Sequence, residues 1–399
     1  MAMHDPVLAR AIAAHQSGRL KEAQAGYQRV LRKRPGDADA LHFLGMLRFQ
    51  SGEAEDGLRL VRQSLARVPG NPHAWNNLGN MLSVQDRSAE AREAYERVTR
   101  LAPTLAEVWY NLGICCQDEG DFAAAQTHFR TAIQHRPEFL RVYEALGMLL
   151  YRLGDFRGAA EIYTAWAQRD PGNPVARHMA AATSGIDVPE RADDEYVAGL
   201  FDKFAAYFDQ NLKKLRYRAP EIVSSALASH CASTDSRLDI LDAGCGTGLC
   251  GPLLKPMSRS LAGVDLSPKM IEHARNRGGY DELAVGELVQ FMRSRPHAFD
   301  AIVSADTLVY FGAIAEACAA AFDALRPGGL LIFTVEALPA DAAEDFRLEV
   351  HGRYAHNEHY VRHCLEVAGF ALCELRRESL RMERMQEVIG FLVLAQRPA

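Results

Sequence analysis

Apolar residues in the first half of the chain return in short blocks at i, i+3 and i+4. Leu41, Leu44 and Gly45 form one block; Trp75, Leu78 and Gly79 form the next. Trp109, Leu112 and Gly113, then Tyr143, Leu146 and Gly147, repeat the pattern. Residues at that spacing share one face of a helix. A second block follows in each unit: Ala23, Ala91, Ala125 and Ala159, with Gly57 in the remaining unit. Tyr27, Tyr95, Phe129 and Tyr163 stand four residues beyond those alanines. Pro35, Pro69, Pro103, Pro137 and Pro171 punctuate the pattern every 34 residues. Each proline ends a helix, and each block glycine lets a partner helix approach closely. The pattern predicts helical hairpins that stack and bury a continuous core.

After Pro189 this period stops. Residues 186–195 are polar and read as a linker, and Phe201, Phe204, Phe208, Leu212 and Leu215 then mark an amphipathic helical segment. From residue 238 onward, short apolar runs near 238–241, 261–264, 299–303, 330–335, 370–376 and 388–395 alternate with helical stretches. That alternation predicts a parallel sheet wrapped on both faces. The expected organisation is multidomain. An all-α solenoid covers 1–185, a linker and helical lid 186–237, and a doubly wound α/β domain 238–399.

Composition changes this picture little. Apolar residues make up 48% and charged residues 24%, the balance of a globular chain. The net charge of −6 lacks the basic footprint of a nucleic-acid binder. Eight cysteines without a C-x-x-C pair suit a reduced protein. No signal-peptide pattern or membrane-length apolar run appears, so a cytoplasmic location without membrane attachment is expected.

The candidate chemistry sits in the second half. The run ending at Leu241 enters Asp242-Ala243-Gly244-Cys245-Gly246-Thr247-Gly248. A strand that enters a glycine-rich turn lets backbone approach a nucleotide-type ligand. The spacing is G-x-G-x-G, which weakens a pyrophosphate reading. Asp265 closes the next apolar run, nineteen residues past Gly246. A carboxylate there can hold both ribose hydroxyls.

The 34-residue pattern resembles the tetratricopeptide repeat family over residues 4–171. Residues 195–399 resemble class I S-adenosylmethionine-dependent methyltransferases. That match rests on the glycine turn, Asp265, Phe299-Asp300 and Leu325-Arg326-Pro327-Gly328-Gly329. The whole chain is similar to bacterial methyltransferases with N-terminal repeats, a likeness that Phe201-Asp202, Phe208-Asp209 and Tyr217 support. The resemblance implies a Rossmann-like domain whose last strand runs antiparallel, and S-adenosyl-L-methionine as cofactor. It places Asp242, Gly244, Cys245 and Gly246 around the methionine part, and Asp265 on the ribose. Leu266, Met270 and Leu288 would flank the adenine, Glu287 would bond its amino group, and Ala305 and Asp306 would stand by the methionine.

Candidates on the acceptor side are His356 as general base, Tyr217, Tyr310, and Arg353 as a clamp for an anionic substrate. No recognised metal framework accompanies the nearby histidines, so no metal is expected. In repeat proteins of this kind the first helices line a concave groove. Here that groove would present His42, Asn76, Asn80, Tyr110, Glu144 and Tyr151 to a peptide or protein partner. The expected function is methyl transfer to an oxygen or nitrogen nucleophile on a peptide, protein or carrier-held substrate recruited by the repeats. The alternatives are a small-molecule O-methyltransferase whose repeats serve oligomerisation, and a non-catalytic cofactor-binding scaffold.

Overall fold

The structure, a computed structural model, describes residues 5–230, 237–383 and 385–399. Residues 231–236, near the end of the expected lid interval, lie outside them. The chain divides into two compact units, Met1–Asp155 and Phe156–Ala399.

In the first unit, helices Pro6–Gln16 and Leu20–Lys33, Ala38–Gln50 and Ala54–Arg67, Pro72–Val84 and Ser88–Leu101, and Ala106–Asp118 and Phe122–His135 pair as hairpins. Helix Leu140–Leu153 follows. The recurrent glycines meet the recurrent rings. A Cβ on Gly79 would lie 2.5 Å from Tyr95 Cε1, and one on Gly113 would overlap the Phe129 ring. Where Val61 takes the ring's place, Gly45 and Gly57 bring two backbones together, with a Gly45 Cβ 2.8 Å from Gly57 O. His42, expected on the groove, is buried. Its Nε2 pairs with Asn77 Nδ2 at 2.9 Å, and burial lowers its pKa to about 4.

The second unit opens with helices Phe156–Arg169 and Pro174–Ser184, so the last hairpin counts with the α/β domain. Helices Asp194–Phe204, Phe208–Lys214 and Ala219–His230 follow. The strands are β1 (Leu238–Ala243), β2 (Ser258–Asp265), β3 (Glu282–Val285), β4 (Phe299–Ser304) and β5 (Leu325–Ala337), then β6 (Phe346–Leu348), β7 (Tyr354–His356), β8 (Ala371–Glu383) and β9 (Gln386–Gln396). Strands β3-β2-β1-β4-β5 lie side by side in parallel. β9 runs antiparallel between β5 and β8. The tip of β5 also pairs with β7, which carries β6.

Both faces of this sheet are covered, and the strands alternate between them. Leu241, Ala243, Val264, Ile302, Phe333, Phe391 and Val393 pack on one side with helices Leu288–Arg293, Ala315–Ala324 and Glu358–Ala368. Ile240, Leu261, Val303, Ile332, Leu392 and Leu394 face the other side, against helix Ala219–His230. Each fully buried Leu, Ile, Val or Phe contributes about 1.5–3 kcal/mol, which fixes the register. The C-terminal ends of β1, β2, β4 and β5 therefore open along one edge, where doubly wound sheets bind ligands. No helix among the described residues is long and apolar enough to cross a membrane.

Candidate active site

β1 delivers the glycine turn to that edge. Gly244 N and Cys245 N donate to Val264 O at 2.8 and 3.0 Å, tying the turn to β2. Gly244, Gly246 and Gly248 have φ of +81°, +53° and +83°, which favours glycine. Their surroundings differ. A Cβ on Gly244 would lie 2.6 Å from Thr307 Cβ, and one on Gly248 3.2 Å from Ala274 Cα. A Cβ on Gly246 would meet nothing within 4 Å. Two of these glycines serve packing, while the third borders open space.

Asp242 is fully buried beneath the turn. Its Oδ2 accepts a hydrogen bond from Tyr280 Oη at 2.6 Å, and its Oδ1 has no partner. Burial pushes this carboxyl up to about 7, against the pull of the Tyr280 bond. Asp265 accepts from Gly246 N and Ser267 N, both at 2.9 Å, through separate oxygens. Burial raises its pKa as well. Each Asp265 oxygen keeps a lone pair for a further donor. Cys245 is buried, and burial lifts its thiol pKa well above the ordinary value.

An orphaned buried acceptor, an open glycine and a carboxylate with spare lone pairs fit a nucleoside bearing an amino-acid arm. Around them, Leu266 is half-buried, Leu288 is buried and Met270 is fully enclosed. Glu287 accepts from Val289 N at 3.0 Å and Gln290 N at 2.8 Å, and pairs with Arg191 at 3.3 Å. Its carboxylate thus caps the helix that Leu288 begins.

Two aspartates from the helical segment join the cofactor loops. Asp202 Oδ1 accepts from Ser267 Oγ at 2.5 Å, and Asp209 Oδ1 from Thr247 Oγ1 at 2.6 Å. Arg277 also pairs with Asp209. Tyr217 Oη donates to Ala305 O at 3.5 Å, while Tyr207 is 65% exposed.

Beyond Ala305 lies an ion network. Asp306, with φ of +52°, accepts from Thr334 Oγ1 at 3.0 Å and from Arg381 Nη1 at 2.6 Å. Arg381 also bonds Glu336, and Glu383 at 2.7 Å. Arg353 donates to Glu336 at 2.7 Å and to Glu383 at 2.5 Å. His351 Nε2 lies 3.3 Å from Glu336. A bulge between Ser379 and Arg381 breaks the alternation of β8, so Leu380 and Arg381 are both buried. Bulges re-aim side chains in this way beside active sites. Burial alone would raise Glu336, but His351 and the two guanidiniums hold it well below the usual carboxylate range. Burial keeps Asp306 raised despite Arg381.

The structure therefore brings Tyr217, Asp306 and Arg353 to one edge. Tyr310 closes the short turn Leu308–Tyr310 that follows Asp306, its ring 5.5 Å from that of Phe201, and burial raises its hydroxyl pKa. His356 is fully buried. Its Nε2 lies 2.8 Å from Phe311 O and 3.2 Å from Gly312 O, so that nitrogen carries the proton. Its Nδ1 has no partner, and burial lowers its pKa to about 4. Tyr280, Thr307, Glu336, Arg381 and Glu383 are members of the site that the sequence reading passed over. An apolar run ending in an acid, as Val335-Glu336 does on β5, is the signal that had singled out Asp265.

A methyltransferase-domain family matches residues 241–333, and tetratricopeptide families match 14–80, 70–138 and 117–174. Human methyltransferase-like protein 27 is 33% identical over 42% of this chain and 67% of its own length. A probable S-adenosylmethionine-dependent methyltransferase of Mycolicibacterium smegmatis is 28% identical, over 39% of this chain and 58% of its own length. Malonyl-[acyl-carrier protein] O-methyltransferase of Enterobacter lignolyticus is 26% identical, over 39% and 58%. For these last two, the chain spans less than two thirds of the relative. With the methyltransferase match lying over the glycine turn and two thirds of the human protein aligned, the chain belongs to the S-adenosylmethionine-dependent methyltransferases and carries tetratricopeptide repeats ahead of that domain.

Proposed function

We propose that the chain transfers a methyl group from S-adenosylmethionine to a nucleophile on a peptide, protein or carrier-held acceptor that the repeats recruit. The observation that carries this reading is the open side of Gly246 together with the unpaired Oδ1 of Asp242 in the same turn region. When bound, the cofactor supplies an electrophilic methyl on a sulfonium. The protein's part is alignment and exclusion of water. Asp242 offers its buried oxygen to the amino-acid arm, and Asp265 its lone pairs to the ribose hydroxyls. Asp202 and Asp209 hold the covering helices onto the loops that carry those contacts.

On the acceptor side, a proton on the nucleophile needs a base. His356 has its protonated nitrogen fixed to two carbonyls and is sealed from solvent, which suits a structural role. Asp306 is the carboxylate at the end of β4, and we assign the proton to it.

The repeats support recruitment through their polar faces. Asn80 is exposed, and its Oδ1 is held by Tyr95 Oη at 2.8 Å and Asn111 Nδ2 at 3.0 Å. That leaves its amide N–H groups to a ligand. Asn76 accepts from the same Asn111 at 3.4 Å, and Tyr110 presents a half-buried ring. Glu144 and Tyr151 extend this set along helix Leu140–Leu153. The relative named for a malonyl carrier protein supports keeping carrier-held acceptors in the class.

The test is transfer of label from tritiated S-adenosylmethionine into protein and carrier fractions. Asn80→Ala with Tyr110→Ala should cut labelling of a macromolecular acceptor at least fivefold, with affinity for S-adenosylhomocysteine unchanged. Equal labelling would remove the recruitment role.

A further inference from the structure

Tyr280 follows Gly278 and Gly279, whose φ of +79° and +99° turn the chain after helix Pro268–Arg277. Asp281 pins the next position to β2. Its N donates to Leu261 O and its Oδ2 accepts from Leu261 N, both at 2.8 Å. The Tyr280 ring then fills a slot that three glycines leave. A Cβ on Gly251 would lie 2.7 Å from its Cε2, one on Gly263 2.9 Å from its Cε1, and one on Gly248 3.1 Å from its Cε2. A side chain at Gly251 or Gly263 would displace the ring. The slot delivers the hydroxyl to Asp242 Oδ2 at 2.6 Å.

Among the described residues, no other hydrogen bond reaches the Asp242 carboxylate. The titratable groups that face it, besides Tyr280, are Asp265, Cys245, Cys250 and Tyr217. Burial keeps both thiols and the Tyr217 hydroxyl neutral. Asp265 is a like charge that raises Asp242, and no cation acts on it. A buried carboxylate without a cation is costly until a partner arrives. Tyr280 serves one oxygen, and Oδ1 has no partner. The amino-acid arm of an S-adenosyl cofactor brings an ammonium, the charge this carboxylate lacks.

Resting on the cofactor assignment, we propose that Tyr280 is a positioning residue for cofactor binding: its hydroxyl fixes one oxygen of Asp242 and leaves the other to receive the ammonium of the amino-acid arm. The hydroxyl acts through the carboxylate and does not touch the cofactor. Because the ring is wedged among glycines, it also sets the rotation of the carboxylate. Burial pushes the Asp242 carboxyl up to about 7 against the pull of this bond. Without the hydroxyl that pull is lost and the carboxyl rises further. Near neutral pH the free site then holds a neutral acid, which must give up a proton before it pairs with an ammonium. Affinity for the arm therefore falls as pH drops through about 7 in the parent, and from a higher pH once the hydroxyl is gone.

The experiment titrates the full chain by calorimetry with two probes. S-adenosylhomocysteine carries the amino-acid arm; 5′-methylthioadenosine is the same nucleoside without it. Tyr280→Phe keeps the ring in its slot and removes one oxygen. At pH 7 it should weaken S-adenosylhomocysteine at least tenfold, as the loss of a hydrogen bond to a charged group does, and leave 5′-methylthioadenosine within twofold. The pH at which S-adenosylhomocysteine affinity falls should rise by at least one unit, with 5′-methylthioadenosine flat in both proteins. In the parent at pH 6, buffers of different ionisation enthalpy should show a proton released on binding S-adenosylhomocysteine and none on binding 5′-methylthioadenosine, a measurement that needs no variant. Equal weakening of both probes would make Tyr280 a residue of the fold alone. That result, an unchanged affinity or pH profile in Tyr280→Phe, or no proton release in the parent overturns the proposal and leaves the cofactor site standing. Failure of both probes to bind the parent overturns the cofactor assignment and this inference with it.

Discussion

Replacing Gly246 by alanine separates a glycine kept for a ligand from one kept for the fold. Its φ of +53° lies in the left-handed region. Holding an alanine there costs about 1–2 kcal/mol. The new methyl itself meets no protein atom within 4 Å, so no clash adds to that cost. For a domain of this size the melting temperature should fall by about 2–8 °C. The same methyl would stand in the space assigned to the cofactor, and affinity for S-adenosylhomocysteine should fall at least tenfold, about 1.4 kcal/mol. Gly244→Ala is the contrast. It carries a similar backbone cost at φ +81°, and its Cβ would lie 2.6 Å from Thr307 Cβ. Overpacking adds about 1–3 kcal/mol. This variant should therefore lose clearly more stability. Thermal unfolding by circular dichroism and titration calorimetry read the two quantities separately. Parent-like affinity in a folded Gly246→Ala protein would show that no ligand occupies the space beside the turn. Equal stability loss in both variants would refute the packing distinction.

Two further expectations follow from the same geometry. Asp265→Ala removes the acceptor shared by Gly246 N and Ser267 N together with the proposed ribose contact, so affinity for S-adenosylhomocysteine should fall at least a hundredfold, about 2.7 kcal/mol; unchanged affinity would contradict the assignment. His356 is buried neutral, with a pKa lowered to about 4 from an unfolded value near 6.5. The unfolded state takes up its proton first, so this stabilisation is complete above about pH 6.5 and is lost as pH falls toward 4, amounting to roughly 3 kcal/mol over the whole interval. His356→Gln should flatten the fall in urea midpoint between pH 7 and pH 5, and an identical slope in parent and variant would refute the assignment.

The repeat and the glycine turn were legible because each is a local signal. A helical hairpin writes its own period into thirty-four consecutive residues, and Gly45, Gly79 and Gly113 recur because each faces a neighbouring helix in its own unit. The strand-turn-helix around Asp242–Gly248 and the acid ending β2 are similarly local. The apolar runs around Leu241 and Ile332 predict a sheet covered on both faces, and the structure shows which residue turns to which side.

What the sequence alone determined was therefore the order of the repeat helices and of the main strands, and the residues of the turn, while β6 and β7 came only with the structure. Only the tertiary structure decided which charges meet. Arg381 reaches Glu336 across β9, which pairs with β5 on one side and β8 on the other and has Gly390 opposite Glu336, and a bulge turns two consecutive residues of β8 inward. Arg353 is read from sequence as a free clamp; it is committed to Glu336 and Glu383 once β7 pairs with the tip of β5. His356 passes from candidate base to buried ring for the same reason, and Asp242 gains Tyr280 from beyond the next helix. Such pairings depend on strand order and register across long separations, and a side chain's type carries no record of the partner that folding brings to it.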